Sequence, residues 1–238
     1  HIMKRHILNM LQFLLSIFLL LTLISFSFKK QSFKYCSINK INISQQQNKF
    51  LSADIIINYL DSLSIYPSLT RLDSISLYYI ESSLLLHPLV KQANVFSDIN
   101  GLIDIDLTAR NPIARIRSDQ EYYIDDEGKE MPLSSEYTSR VLVVIGDLTY
   151  IDTSIFLETL KLIYFDDFLR DQIVQMEIKY EEILMLTKSG VILEVGTLDN
   201  FIDKCNNFKL YYNKGYVNIE KYRSINLKYN QQIICSKK

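Results

Sequence analysis

Apolar residues fill positions 7–28 without a single charge, ILNMLQFLLSIFLLLTLISFSF, broken only by Asn9, Gln12, Ser16, Thr22, Ser25 and Ser27. As a helix this run would be about 33 Å long, against a hydrocarbon core of about 30 Å. Lys4 and Arg5 flank one end, and Lys29, Lys30 and Lys34 the other. No A-x-A-like cleavage site follows, and the run is longer than a signal peptide needs, so a retained single-pass anchor is expected. The slight excess of basic residues on the C-terminal side does not by itself place the bulk of the chain outside. No second hydrophobic span follows, so the protein's work is expected on one face of one membrane.

Beyond the anchor the spacing of apolar positions switches between strand and helix periods. Ile38, Ile41 and Ile43 in SINKINIS offer a short strand. FLSADIIINYLDSL then reads as a helix, with Ser52 as N-cap, Leu51 and Ile56 at staple positions, and Asp54 complementing the dipole. After a loop containing Pro67, a second helix is predicted near residues 76–86. There Leu77, Ile80 and Leu84 share a face and Ile75 can staple to Ile80. Pro88 closes it, because the residue before proline, His87, is pushed out of the helical region. VKQANVFSD and IDIDLTAR follow as strands around Asn100-Gly101, a hairpin signal whose two turn positions are expected at positive φ. Ile103, Ile105 and Leu107 point one way, Asp104 and Asp106 the other. The order is β-α-α-β-β.

From residue 113 onward a sheet with supporting helices is expected. Helix spacing covers residues 154–169. Strand runs follow at 173–179, 183–187 and 191–195, with Lys188-Ser189-Gly190 turning between the last two. Phe201, Cys205, Phe208 and Tyr212 form one helical stripe, which Gly215 can terminate. Ile225, Leu227 and Tyr229 alternate with Asn226 and Lys228, and residues 232–235 can form a terminal strand. A strand at a chain end tends to be a sheet edge, to which a partner can add a strand.

Composition narrows the chemistry. The net charge of −1 and pI of about 6.4 give no electrostatic footprint for nucleic acid. Cys36, Cys205 and Cys235 lack CxxC spacing, so packed or unpaired thiols are expected, with a bridge from Cys235 to Cys36 or Cys205 left open for an oxidising compartment. His1, His6 and His87 form no metal or triad pattern, no P-loop or G-x-G-x-x-G occurs, and no cofactor or metal is implied. His87 reads as a helix-end residue rather than a ligand. Asp125-Asp126-Glu127-Gly128 lacks calcium-loop spacing and reads as a polar hairpin turn. Ser37-Ile38-Asn39-Lys40 fits S-x-x-K, and Lys188-Ser189-Gly190 resembles K-T-G, which keeps a membrane-anchored acyl-serine peptidoglycan enzyme as an alternative. Ser37, however, falls in a strand, where such a nucleophile should open a helix.

The run HPLVKQANVFSDINGLIDIDLTARNPIARI resembles the POTRA segment of the FtsQ/DivIB family of cell-division proteins, in particular its Bacteroidetes-like branch. Arg110-Asn111-Pro112-Ile113-Ala114-Arg115-Ile116 stands at that family's R-x-P-I-A-R-I. YYIDDEGKEMPLS at 122–134 resembles its next hairpin and VLVVIGD at 141–147 the following strand, while FKLYYNKG and YRSINLKYNQQIIC resemble its last helix and strand pair. The resemblance implies an α+β protein: a cytoplasmic tail at 1–6, a transmembrane helix at 7–28, a linker at 29–37, a POTRA domain at 38–110, and a mixed β-sheet domain at 111–238. It implies a periplasmic bulk, anchored in the inner membrane at the division septum. It implies a non-enzymatic scaffold that binds FtsB, which arrives with its coiled-coil companion FtsL, and links early to late division proteins. The partner site it implies comprises Asn226, Leu227, Lys228, Tyr229, Gln232, Ile233 and Ile234, with Lys228-Tyr229 as the family's basic residue followed by Tyr. FtsK-like or FtsA-dependent contacts of the POTRA domain are also implied. A POTRA-bearing export chaperone is a further alternative, although such proteins usually carry several POTRA units or a β-barrel.

Overall fold

The computed structural model describes residues 10, 12–25, 35–44, 50–71, 74–135, 137–180, 182–213, 219–229 and 232–238. Residues 12–25 form a helix, α1, whose apolar side chains are exposed on every side. The hydroxyls of Ser16 and Thr22 donate to the carbonyls of Phe13 and Leu19, each at 2.8 Å, so these polar interruptions are satisfied within the helix. Among the described residues no helix is long and apolar enough to cross a membrane. As described, α1 extends about 21 Å; both ends of the 7–28 run, and most of the 29–37 linker, lie outside the described residues.

The chain divides into two compact units, His1–Gln46 with Leu51–Ala109, and Gln47–Phe50 with Arg110–Lys238. In the first, β1 (Ser37–Ser44), α2 (Ala53–Ser62), α3 (Leu77–Leu85), β2 (Val90–Ser97) and β3 (Leu102–Ala109) follow in the predicted β-α-α-β-β order. The sheet order is β1-β3-β2, with β1 parallel and β2 antiparallel to the central β3. Ile103, Ile105 and Leu107 are buried, as are Ile56 and Leu60 of α2 and Ile80 and Leu84 of α3. On the outer face Asp104 and Asp106 accept from the side-chain amides of Asn39 and Asn42 at 2.8 and 2.7 Å. Ser52 and Ser76 cap α2 and α3 through the N–H groups of Ile55 and Tyr79.

The hairpin differs from expectation in one respect: Gly101 has φ +87, whereas Asn100 is not in the left-handed region. The reason is Asp98, whose carboxylate accepts from Asn100 N and Leu102 N at 2.8 Å each and closes a longer loop. These N–H groups hold the Asp98 carboxyl below its ordinary pKa, Leu102's first. Gly101 is also required sterically, since a Cβ there would stand 3.0 Å from the carbonyl oxygen of Tyr35.

The second unit is built on a nine-stranded sheet comprising β4 (Pro112–Arg117), β5 (Glu121–Asp125), β6 (Glu130–Met131), β7 (Leu142–Gly146), β8 (Ile173–Lys179), β9 (Glu182–Thr187), β10 (Ile192–Gly196), β11 (Tyr222–Asn226) and β12 (Ile234–Lys237). Their order is β12-β11-β10-β9-β8-β7-β4-β5-β6. The pairs β4–β7, β7–β8 and β10–β11 are parallel and the others antiparallel, a mixed sheet as expected. Helices α4 (Thr153–Phe165), α5 (Asp167–Gln172) and α6 (Phe201–Asn213) supply Phe156, Leu160, Leu169, Phe201, Cys205 and Phe208 to its core. Tyr212, the last residue of the predicted stripe, packs its ring edge-on against Phe168, with centroids 4.9 Å apart. The expected terminator Gly215 lies outside the described residues.

The single helix predicted over 154–169 is in fact α4 and α5. Asp166 breaks it: its backbone is extended (φ −93, ψ 113), and its carboxylate caps α5 through the N–H of Leu169. Lys209 of α6 pairs with the same carboxylate. The acidic turn after β5 is likewise structural. Asp125 is fully buried and accepts from Glu127 N and Lys129 N at 2.9 and 2.7 Å, and Arg110 reaches it at 2.6 Å.

Candidate functional site: the C-terminal sheet edge

β12 ends the nine-stranded sheet. It pairs antiparallel with β11, in the register Asn226–Ile234, Ile225–Cys235, Ser224–Ser236 and Tyr222–Lys237. Lys238 N donates to Lys221 O, so N–H groups two apart, those of Ser236 and Ile234, also face inward. Cys235 and Lys237 then turn their backbone N–H and C=O to the open side. The terminal strand is therefore Ile234–Lys237, two residues beyond the predicted 232–235, and the strand before it is Tyr222–Asn226 rather than one running on to Tyr229.

Asn226 explains the early stop. Its side-chain oxygen accepts from Lys228 N at 2.9 Å, turning the backbone out of the ladder, while its amide donates to Glu194 at 3.1 Å. Its own backbone lies between Glu194 of β10 and Ile234 of β12. Leu227 is buried, with its N–H on the carbonyl of Glu194 at 2.9 Å. Lys228 lays its stem across Gly196, where a Cβ would meet Lys228 Cγ at 3.1 Å, and its Nζ reaches Glu182 at 2.6 Å. That carboxylate raises the pKa of Lys228. Tyr229 is 51% exposed and does not fill the core. Gln232 and Ile234 are exposed, and Ile233 packs against the core.

Three groups that position this edge had no mark in the pattern of the sequence. Tyr211 of α6 lies with its hydroxyl 3.0 Å from Cys235 Sγ and so ties β12 to the helix; burial first, then the hydrogen bond to Cys235, pushes its pKa up. Glu182 and Gly196 hold Lys228, across a contact set by strand order alone. The helical stripe pointed to α6, but Tyr211 sits beside that stripe rather than in it.

The other candidates separate. Cys36, Cys205 and Cys235 are free thiols, and burial raises Cys205 to about 12. His87 Nδ1 accepts from Leu89 N at 3.2 Å, its ring packs edge-on against Tyr59 at 4.7 Å, and burial lowers its pKa. Among the described residues no group of three His, Cys, Asp or Glu side chains could hold a metal ion. Ser37 and Lys40 lie in β1, not at a helix start, and Lys188 Nζ is paired with Asp171 at 3.0 Å.

With this geometry in place, two family models match the chain. The model described as FtsQ/DivIB, C-terminal related, matches residues 111–236, more than half of the chain, and a POTRA-like domain matches residues 34–108. No curated protein matches the chain.

Proposed function

The chain belongs to the FtsQ/DivIB family, and from that premise we propose that it is a division scaffold whose β12 edge takes an added strand from an FtsB-like protein. Members of this family are division-site membrane proteins and in general not enzymes. In our reading residues 7–28 anchor the chain in the inner membrane, with residues 1–6 cytoplasmic and both units periplasmic at the septum. The FtsB-like strand arrives with its FtsL-like coiled-coil companion, and FtsK-like proteins meet the POTRA-like unit. The observation that carries the reading is that, among the described residues, β12 is paired on one side only, by β11.

An added strand draws affinity from main-chain pairing and specificity from alternate side chains. Along β12 the outward backbone groups of Cys235 and Lys237 supply the pairing. Gln232, Ile233 and Ile234 lead into the edge. Lys228 and Tyr229, on the loop that joins β11 to β12, add charge and an amphipathic ring beside it, and Asn226 and Leu227 fix where that loop leaves the sheet. Lys228→Glu would put two carboxylates together at Glu182 and weaken capture of an acidic partner. The ion pair it removes is exposed, worth about 0–1 kcal/mol, so the thermal transition should stay nearly unchanged. The test is a titration of an FtsB-like periplasmic segment against both proteins; an unchanged Kd for Lys228→Glu would count against the reading.

A further inference from the structure

We propose that the pole of the first unit at which β1 begins is a lipid-contact surface, laying an apolar tip into the headgroup region of the bilayer. The proposal rests on the anchor reading given above.

Three stretches of chain meet at this pole. Ser37 N donates to Gly101 O and Cys36 N to Thr70 O, each at 2.9 Å, and Tyr35 bridges Arg71. The β2–β3 turn and the 3-10 turn Pro67–Leu69 therefore stand beside the point where the chain arrives from α1. Large apolar side chains stand exposed here, Leu69 at 74%, Ile99 at 71% and Tyr35 at 66%, with Tyr66 beside them and the polar Asp98, Asn100 and Ser68 between them. A lone exposed Leu or Ile is ordinary. Their gathering on one pole, with two tyrosines, is not, because clustered exposed apolar side chains mark contact surfaces and tyrosine favours the membrane–water boundary.

The length of chain leading to this pole identifies what it meets. From the last described residue of α1, Ser25, to Tyr35 is ten residues, a reach of at most about 35 Å. A unit held that close to an anchored helix keeps this pole within range of the headgroups. An internal control lies at the far pole. Leu86, after α3, is 79% exposed, yet β2 separates that pole from the turn by about 25 Å.

The experiment uses the full chain carrying Cys235→Ser, reconstituted into vesicles of mixed zwitterionic and anionic lipid, with a bimane label on Leu69→Cys, Ile99→Cys or Leu86→Cys. Lipids bearing a nitroxide just below the headgroup should quench the labels at 69 and 99 several-fold more than the label at 86. Equally weak quenching at all three, in a chain that resists carbonate extraction, overturns the lipid-contact surface and leaves the anchor standing. Equally strong quenching at all three also overturns it, because contact would then not be confined to this pole. A chain extracted by carbonate overturns the anchor reading together with the proposal.

Discussion

Arg110 and Asp125 are the pair on which the second unit's first hairpin depends. Asp125 is fully buried and holds the turn by two N–H groups, while Arg110, 12% exposed, bridges it to Glu127. Burial works to lower the pKa of Arg110, but the hydrogen bonds it donates to Asp125 and Glu127 more than offset this and raise it. Removing Asp125 strips two turn N–H groups of their acceptor and leaves Arg110 only the exposed Glu127, and breaking a buried pair of this kind typically costs about 3–5 kcal/mol. Asp125→Ala should therefore lower the urea midpoint sharply, whereas Glu127→Ala, an exposed partner, should change it little; equal effects would refute the assignment. Asp166 makes a second residue-scale prediction. Burial opposes its charge, but Lys209 and the N–H of Leu169 outweigh that and hold its carboxyl below the ordinary value. A depressed folded pKa adds stability that is present above the unfolded value of about 3.9 and is lost as pH falls through the folded value. Stability should thus decline below about pH 4. In Asp166→Asn, which can still cap α5, that decline should be shallower in urea titrations across the acid range.

At the scale of elements, β12 should tolerate proline where its N–H faces outward and fail where it faces inward. Lys237→Pro removes an N–H from the open side only, so the thermal transition should persist while capture of an FtsB-like segment weakens about tenfold, or 1.4 kcal/mol. Ser236→Pro removes an N–H facing β11 and should loosen the strand itself, read as faster amide exchange at Ser224, which pairs with Ser236. Equal binding by Lys237→Pro and the parent would argue against strand addition. The elements themselves were legible to different degrees. The first unit could be read because its signals are local: the alternation of Ile103, Ile105 and Leu107, and the Ser52 cap three residues before the N–H it holds. Asp166 was hidden inside a run with good helical spacing, since a cap in the middle of an apolar stripe looks like one polar position on a helix. The end of β11 was hidden too, because Asn226 stops it through a side-chain bond that no period records. Strand order was out of reach for a different reason. Lys228 meets Glu182 only because β9, β10 and β11 lie side by side, and that adjacency joins positions 46 residues apart in the chain.

At the scale of the whole molecule, the proposed reading assigns adhesion to the second unit and tethering to α1. The apolar side chains of α1 are exposed all round, a pattern suited to lipid or to the inside of a larger assembly rather than to one face of a soluble protein. The hydroxyls of Ser16 and Thr22 close on its own backbone, so neither of these two groups demands a particular neighbour. If its task is to hold the chain at the membrane, its length matters and its sequence does not. Replacing residues 7–28 by a leucine–alanine helix of equal length should then restore division in cells depleted of the parent protein. Depletion alone should give cells that elongate or fail to separate, with the FtsB-like protein lost from midcell. Removing 7–28 altogether should reproduce that failure even though the purified remainder still captures the FtsB-like segment with unchanged affinity. A chimaera that stays in the membrane, captures its partner and still fails to divide would assign α1 a specific helix partner and overturn the view of it as a tether.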